Sequence, residues 1–92
     1  MKYTKKQLEK IARLKAYLNS DKKDDYLLID SEWTNVYDVK NVYINASGLW
    51  VSGLDVDFNT TKDLIYPENF NSFFADCKKD NEFKQWLNKG VN

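Results

Sequence analysis

The chain has 92 residues, of which 42% are hydrophobic and 15% aromatic, and its formal net charge is zero. This length supports one hydrophobic core, so we expect residues 1–92 to form a single compact α+β domain. An apolar run of about 20 residues, which would span a membrane, is absent. The lone cysteine is typical of a reducing compartment, and we expect a cytoplasmic protein.

The first predicted element is a helix from Thr4 to Asn19. Thr4 and Gln7 have the spacing of a capping box, in which two side chains satisfy backbone groups at a helix start. Apolar residues then recur at helical spacing, at Leu8, Ile11, Leu14 and Leu18. The other side of the helix is basic and carries Lys2, Lys6, Lys10 and Arg13. This basic side is either a solvated surface or a contact for phosphates or an acidic partner.

The middle of the chain predicts an antiparallel meander of three strands. Three segments are rich in β-branched and aromatic residues, namely YLLIDS (26–31), VYDVKNVYINA (36–46) and LWVSGLDVDF (49–58). A turn at Ser47 and Gly48 would pair residues whose numbers sum to 95. In that register one face can be core throughout and carries Tyr37, Val39, Tyr43, Trp50, Leu54, Val56 and Phe58. On the other face Asp38 opposes Asp57, and Lys40 opposes Asp55.

Two short helices are predicted after the strands. Pro67 suits a first helical turn, and apolar residues follow at helical spacing, at Phe70, Phe73, Phe74 and Cys77. We expect Cys77 to lie in the core. Asp80 or Asn81 can cap a last helix whose apolar side carries Phe83, Trp86 and Leu87. The predicted fold is therefore α+β, with the element order α-β-β-β-α-α.

Several kinds of chemistry are missing from the sequence. Histidine is absent and Cys77 lies on an apolar stripe, so a His-assisted nucleophile and a multi-cysteine metal site are excluded. The three glycines do not form a phosphate-binding loop. We expect a non-enzymatic protein that has no cofactor and no metal.

Charge is segregated along the chain. Residues 1–23 carry a net charge of +6 and residues 24–76 a net charge of −8. Either the basic helix attracts the acidic sheet, or the two form separate binding faces. We expect an inhibitor or adaptor that binds another protein with a basic surface, through an acidic sheet face and an aromatic hairpin tip. The predicted contacts are Asp38, Tyr43, Leu49, Trp50, Asp55 and Asp57.

Two questions about this hairpin stay open at the level of sequence. Both sides of its tip are apolar, so helices either cover both sides, which we favour, or leave one side exposed. A bulge at Gly53 would change this assignment by moving Trp50 to the other face. The aspartates can instead be a solvated surface, or Asp38 and Asp57 can attract a cation.

Nucleic-acid binding is the alternative function, carried by the basic side of the first helix at Lys2, Lys6, Lys10 and Arg13. The element order resembles that of double-stranded RNA-binding domains in topology only. Those domains use a basic cluster at the start of the helix after the sheet, whereas here the stretch is YPENFNSFF, with Glu68 and no lysine.

Overall fold

The computed structural model describes residues 2–21, 23, 26–29 and 34–88. Helix α1 spans Lys5–Leu18, and strands β1, β2 and β3 span Asp38–Asn45, Gly48–Leu54 and Thr60–Ile65. Helices α2 and α3 span Pro67–Cys77 and Asn81–Asn88. The strands form an antiparallel sheet in the order β1-β2-β3. This arrangement confirms the predicted α+β fold and its element order.

Helix α1 begins where the sequence predicts. The Thr4 hydroxyl accepts a hydrogen bond from the Gln7 backbone N–H (3.1 Å), and the Gln7 side chain accepts one from the Thr4 N–H (2.9 Å). These two bonds confirm the capping box. The helix buries one side against the rest of the chain, through Ile11, Leu14, Tyr17 and Leu18.

Two hydrogen bonds tie the region around the start of α1 to the distant end of β3. The Tyr3 hydroxyl donates to the Ile65 carbonyl, and the Gln7 amide donates to the Pro67 carbonyl (3.4 Å). The Tyr3 ring also meets the Phe70 ring edge to face, with 6.2 Å between centroids. The N-terminal helix is thereby fixed at the junction of β3 and α2.

The sheet contains a different set of strands from the predicted one. Residues 26–29, which begin the first predicted strand, form only an isolated bridge between Leu28 and Asp38; residues 30 and 31 lie outside the described residues. The third strand is instead residues 60–65, to which the sequence pattern assigns no element. This strand lies at the edge of the sheet, and Ile65 is its one buried residue. Its sequence, TTKDLI, lacks the alternation of apolar and polar residues that predicts a strand.

The predicted register of the β1–β2 hairpin is wrong by two residues. Asn45 pairs with Gly48, so the turn residues are Ala46 and Ser47. The Asn45 side chain accepts the Ser47 N–H (2.9 Å), and Gly48 has a φ of 128°. Partner numbers therefore sum to 93, as in Tyr43 with Trp50. A shift of two residues keeps each side chain on its face, since side chains alternate along a strand.

A β-bulge in β1 changes the faces further along the hairpin. Val39 pairs with Gly53 and Asn41 with Ser52, so Lys40 is the extra residue. Gly53 makes the bulge possible, because a Cβ atom there would lie 1.9 Å from the Asp38 carbonyl oxygen. Beyond the bulge Val39 joins the core face, and Asp38 lies opposite Leu54 rather than Asp57.

The core lies between the helices and one face of the sheet. That face contributes Val39, Val42, Leu49, Val51 and Ile65, which form one buried cluster with the apolar sides of the three helices. Cys77 is fully buried in this cluster, as predicted. None of the helices in the described ranges is long and apolar enough to cross a membrane.

The other face of the sheet is open. It carries the row Tyr43, Trp50 and Leu64, whose side chains are half-buried and do not belong to the core cluster. The prediction that this face is core throughout is wrong. Within the described residues the helices do not cover both sides of the hairpin tip.

Candidate binding surfaces

An exposed apolar surface lies at the end of the sheet where β2 turns into β3. Its side chains line a cleft of about 230 Å³ whose other lining residues are Asp38 and Asp55. We call it the Phe58 surface and define it as Tyr26, Leu28, Tyr37, Leu54 and Phe58. Val56, 68% exposed, lies beside it. Contiguous apolar surfaces of this kind mark interaction sites in many proteins.

The β2–β3 turn presents Phe58 to solvent. One carboxylate oxygen of Asp55 accepts the backbone N–H groups of Asp57 (2.9 Å) and Asn59 (3.0 Å). The Phe58 N–H donates to the Asp55 carbonyl (3.0 Å), and the Asp55 N–H donates to the Asn59 carbonyl (2.9 Å). These four bonds close a compact turn between two paired strands.

Phe58 has an unfavourable backbone conformation in this turn. Its φ is 65°, in the left-handed region, which costs roughly 1–2 kcal/mol for a residue with a side chain such as phenylalanine. The residue is 77% exposed, so burial of its ring offsets only part of that cost. The prediction that Phe58 belongs to the core face is therefore wrong. Glycine or asparagine would suit the turn better, and the fold alone does not explain a phenylalanine here.

Asp38 lies at the base of the cleft and is only 3% exposed. One of its oxygens accepts the Leu27 N–H (3.1 Å), and the other lies 2.9 Å from the ammonium of Lys40. That ammonium is 5.3 Å from the centroid of the Tyr26 ring. Asp38 thus fixes residues 26–29 against β1 and supports a wall of the cleft. The predicted pairs of Asp38 with Asp57 and of Lys40 with Asp55 are wrong.

The remaining predicted contacts fall in three environments. Leu49 is fully buried in the core. Tyr43 and Trp50 are half-buried cross-strand neighbours on the open face, where the Trp50 indole donates to the Asn45 side chain (3.1 Å). Asp57 is exposed beside Phe58. Trp50 is four residues from Leu54, or about 13 Å along β2, so the aromatic tip and the Phe58 surface are separate.

The carboxylates of the sheet region do not form the predicted acidic face. Asp38 and Asp55 accept backbone N–H groups, as described above. Asp63 likewise accepts the Asn35 N–H (2.6 Å) and the Thr34 hydroxyl (3.0 Å). Loop backbone groups need acceptors, and these side chains supply them. Within the described part of the sheet and its turns, Asp57 is the one exposed carboxylate.

The sequence pattern does not predict the Phe58 surface. Tyr26 and Leu28 were assigned to a regular strand, and Phe58 to the buried side of another. One signal could have located the turn: in DVDFN, an aspartate is followed by an asparagine four residues later, a spacing that allows the aspartate side chain to cap a loop. The positive φ of Phe58 leaves no trace in the sequence, because phenylalanine is rare in that conformation.

A second surface is a basic groove between α1 and the corner formed by α2 and α3. The cleft has a volume of about 500 Å³, and we define the basic groove by its cationic residues Lys10, Arg13, Lys78 and Lys84. Its described lining residues are otherwise uncharged: Phe74, Leu87 and Asn88. Two of the four predicted nucleic-acid contacts, Lys10 and Arg13, therefore lie in one groove.

Lys78 and Lys84 were not predicted, because they come from helices distant in sequence. Lys2 and Lys6 are exposed and do not line the cleft. In the described ranges, the ion pairs between side chains do not join α1 to the sheet. The two ion pairs there join Lys40 to Asp38 and Lys79 to Asp76.

A search of the described residues finds no group of three His, Cys, Asp or Glu side chains that could hold a metal ion. Comparison of the chain with protein-family models, curated proteins and solved structures finds no match.

Proposed function

We propose that the protein is a non-enzymatic inhibitor or adaptor that binds another protein through the Phe58 surface. The observation that carries this proposal is Phe58 itself. The residue is 77% exposed while its backbone has a φ of 65°. A costly conformation that exposes a large apolar side chain is a signature of function rather than of stability.

The shape and composition of the surface favour a protein as the ligand. Aromatic side chains are enriched at the centres of protein interfaces. Pockets for small molecules usually measure about 300–1,000 Å³. The cleft beside Phe58 is smaller, at about 230 Å³, and suits one or two side chains of a partner.

The turn is well suited to binding because it is already ordered. Four hydrogen bonds within residues 55–59 hold Phe58 in place. A partner therefore does not have to immobilise this loop, which lowers the entropic cost of association. Asp57 beside the ring can pair with a basic residue of the partner. Asp55 already accepts two backbone N–H groups, a role that suits structure better than catalysis.

The proposal can be tested by affinity capture with three purified baits: the wild type, Phe58→Asn and Leu8→Gln. Leu8 is a matched control because it is an exposed apolar residue, 45% accessible, on α1. Captured proteins are quantified by mass spectrometry, and the candidate partner is then purified and titrated by calorimetry. We expect Phe58→Asn to weaken binding by about 30-fold, or about 2 kcal/mol, as for an interface hot spot, while Leu8→Gln leaves it unchanged.

Equal affinity of the partner for all three baits would contradict the proposal, because it would place the contact elsewhere. Concentration-dependent dimerisation of the wild type that Phe58→Asn abolishes would assign the surface to a second copy of the chain instead of a different protein.

A further inference from the structure

The basic groove concentrates positive charge in one cleft. Lys10 and Arg13 supply one wall from α1, and Lys78 and Lys84 supply the other from the corner of α2 and α3. The ammonium groups of Lys10 and Lys78 lie 5.4 and 5.7 Å from the centroid of the same ring, that of Phe74. Two like charges that share one ring repel each other, and an anion in the cleft would reduce this repulsion.

The groove is held in shape by the fold. The Arg13 guanidinium donates to the Leu87 carbonyl (2.7 Å), which joins α1 to the last turn of α3. The Phe74 ring beneath the two lysines is 4% exposed and packs edge to face on Phe83, with 5.6 Å between centroids. The walls therefore come from elements that the core already fixes.

We propose that the basic groove binds the phosphate backbone of a single-stranded nucleic acid. This binding is distinct from the proposed function, because the groove shares no residue with the Phe58 surface. Phosphate contact needs only cations that follow the backbone, and such contact is independent of base sequence. An acidic protein segment would also need apolar anchors, and the apolar residues that line the groove are Phe74, which is buried, and Leu87, which is half-buried.

The layout of the cations favours a chain of phosphates over a single one. Lys6, one helical turn before Lys10, is exposed and extends the line of charge along α1 beyond the groove. A cleft of about 500 Å³ is too small to hold a duplex, whereas part of a flexible single strand can lie in it.

The test measures binding of a fluorescein-labelled twelve-nucleotide oligothymidylate by anisotropy between 50 and 200 mM salt. Each phosphate contact with a single strand contributes about −0.7 to the slope of log K against log salt. Four contacts predict a slope of about −2.8, or roughly a 50-fold loss of affinity over this range. For Lys78→Gln/Lys84→Gln we expect a slope of about −1.4 and roughly a 7-fold loss.

The matched control is Lys15→Gln/Lys62→Gln, which removes the same charge from exposed lysines outside the groove. It should keep the wild-type slope, and so should Lys78→Arg/Lys84→Arg, which retains the charge. Thermal melting of each variant confirms that it is folded.

Three results would overturn the proposal. The first is that the oligonucleotide does not bind at 20 mM salt. The second is an equal change of slope in the groove and control variants. The third is tighter binding of a polyglutamate peptide than of the oligonucleotide. The last result would assign the groove to an acidic protein. Loss of oligonucleotide binding in the groove variant with intact binding of the protein partner would separate this inference from the proposed function.

Discussion

Replacement of Phe58 by asparagine and by alanine tests whether the turn trades stability for an exposed ring. Roughly a quarter of the Phe58 surface is covered in the folded protein, or about 50 Å², which is worth about 1 kcal/mol at 25 cal/mol per Å². Both substitutions lose this burial energy. Asparagine tolerates the left-handed region and regains about 1 kcal/mol, whereas alanine regains none of it.

The two substitutions should therefore differ in stability. We expect Phe58→Asn to unfold with nearly the wild-type free energy and Phe58→Ala to lose about 1 kcal/mol, a difference of roughly 4–8 °C in melting temperature for a domain of this size. Urea unfolding, followed by circular dichroism, measures the free energy of unfolding of each variant, and thermal unfolding measures its melting temperature. Phe73→Ala is the core reference and should cost about 3–5 kcal/mol, because Phe73 is fully buried.

Two results would refute this reasoning. Equal stability of the asparagine and alanine variants would mean that residue 58 does not have a positive φ in solution. A loss of more than 3 kcal/mol in both would mean that the ring is buried, as the sequence pattern suggested.

Three further predictions concern the interior. Burial raises the pKa of the Tyr3 phenol above its ordinary value of 10.0, so the folded state favours the protonated form, and the free energy of unfolding should fall as pH rises past 10. Urea unfolding from pH 8 to 11 should show a weaker fall in Tyr3→Phe. Burial also raises the pKa of the Cys77 thiol, so iodoacetamide should label it at the rate of global unfolding; fast labelling of native protein would contradict this. Gly53→Ala should cost about 3 kcal/mol or more in chemical unfolding, because the new methyl group meets the backbone of β1; a variant as stable as the wild type would argue against the bulge.

Local signals in the sequence predicted the helices well. The capping box at Thr4 and Gln7 and the phenylalanine spacing of α2 depend on neighbours within one or two helical turns. The hairpin faces near the tip were also separated correctly, because an error of two residues in register does not move a side chain across the sheet.

Features that depend on tertiary contacts were predictable only in part. A glycine within the strand pattern at Gly53 allows a bulge, but the pattern does not indicate that Lys40 is the extra residue or that Asp38 changes face. The bulge at Lys40 requires the close approach of Gly53 on the neighbouring strand, and it decides which face carries Asp38. Strand β3 acquires its conformation by pairing with β2 rather than from its own apolar pattern. Similarly, Lys84 lines the same groove as Lys10 only because α3 packs beside α1.

The attachment of α1 has a consequence for how the chain folds. Tyr3 bonds to a residue 62 positions away, and Arg13 to one 74 positions away. Loop-closure entropy opposes contacts of such long sequence separation until the intervening hairpins have formed, so the docking of α1 belongs to a late step. During synthesis the apolar side of α1 leaves the ribosome long before Phe83, against which Tyr17 packs at a centroid distance of 5.0 Å. Until that partner emerges, the nascent chain exposes this apolar side, and chaperones can bind it during that interval.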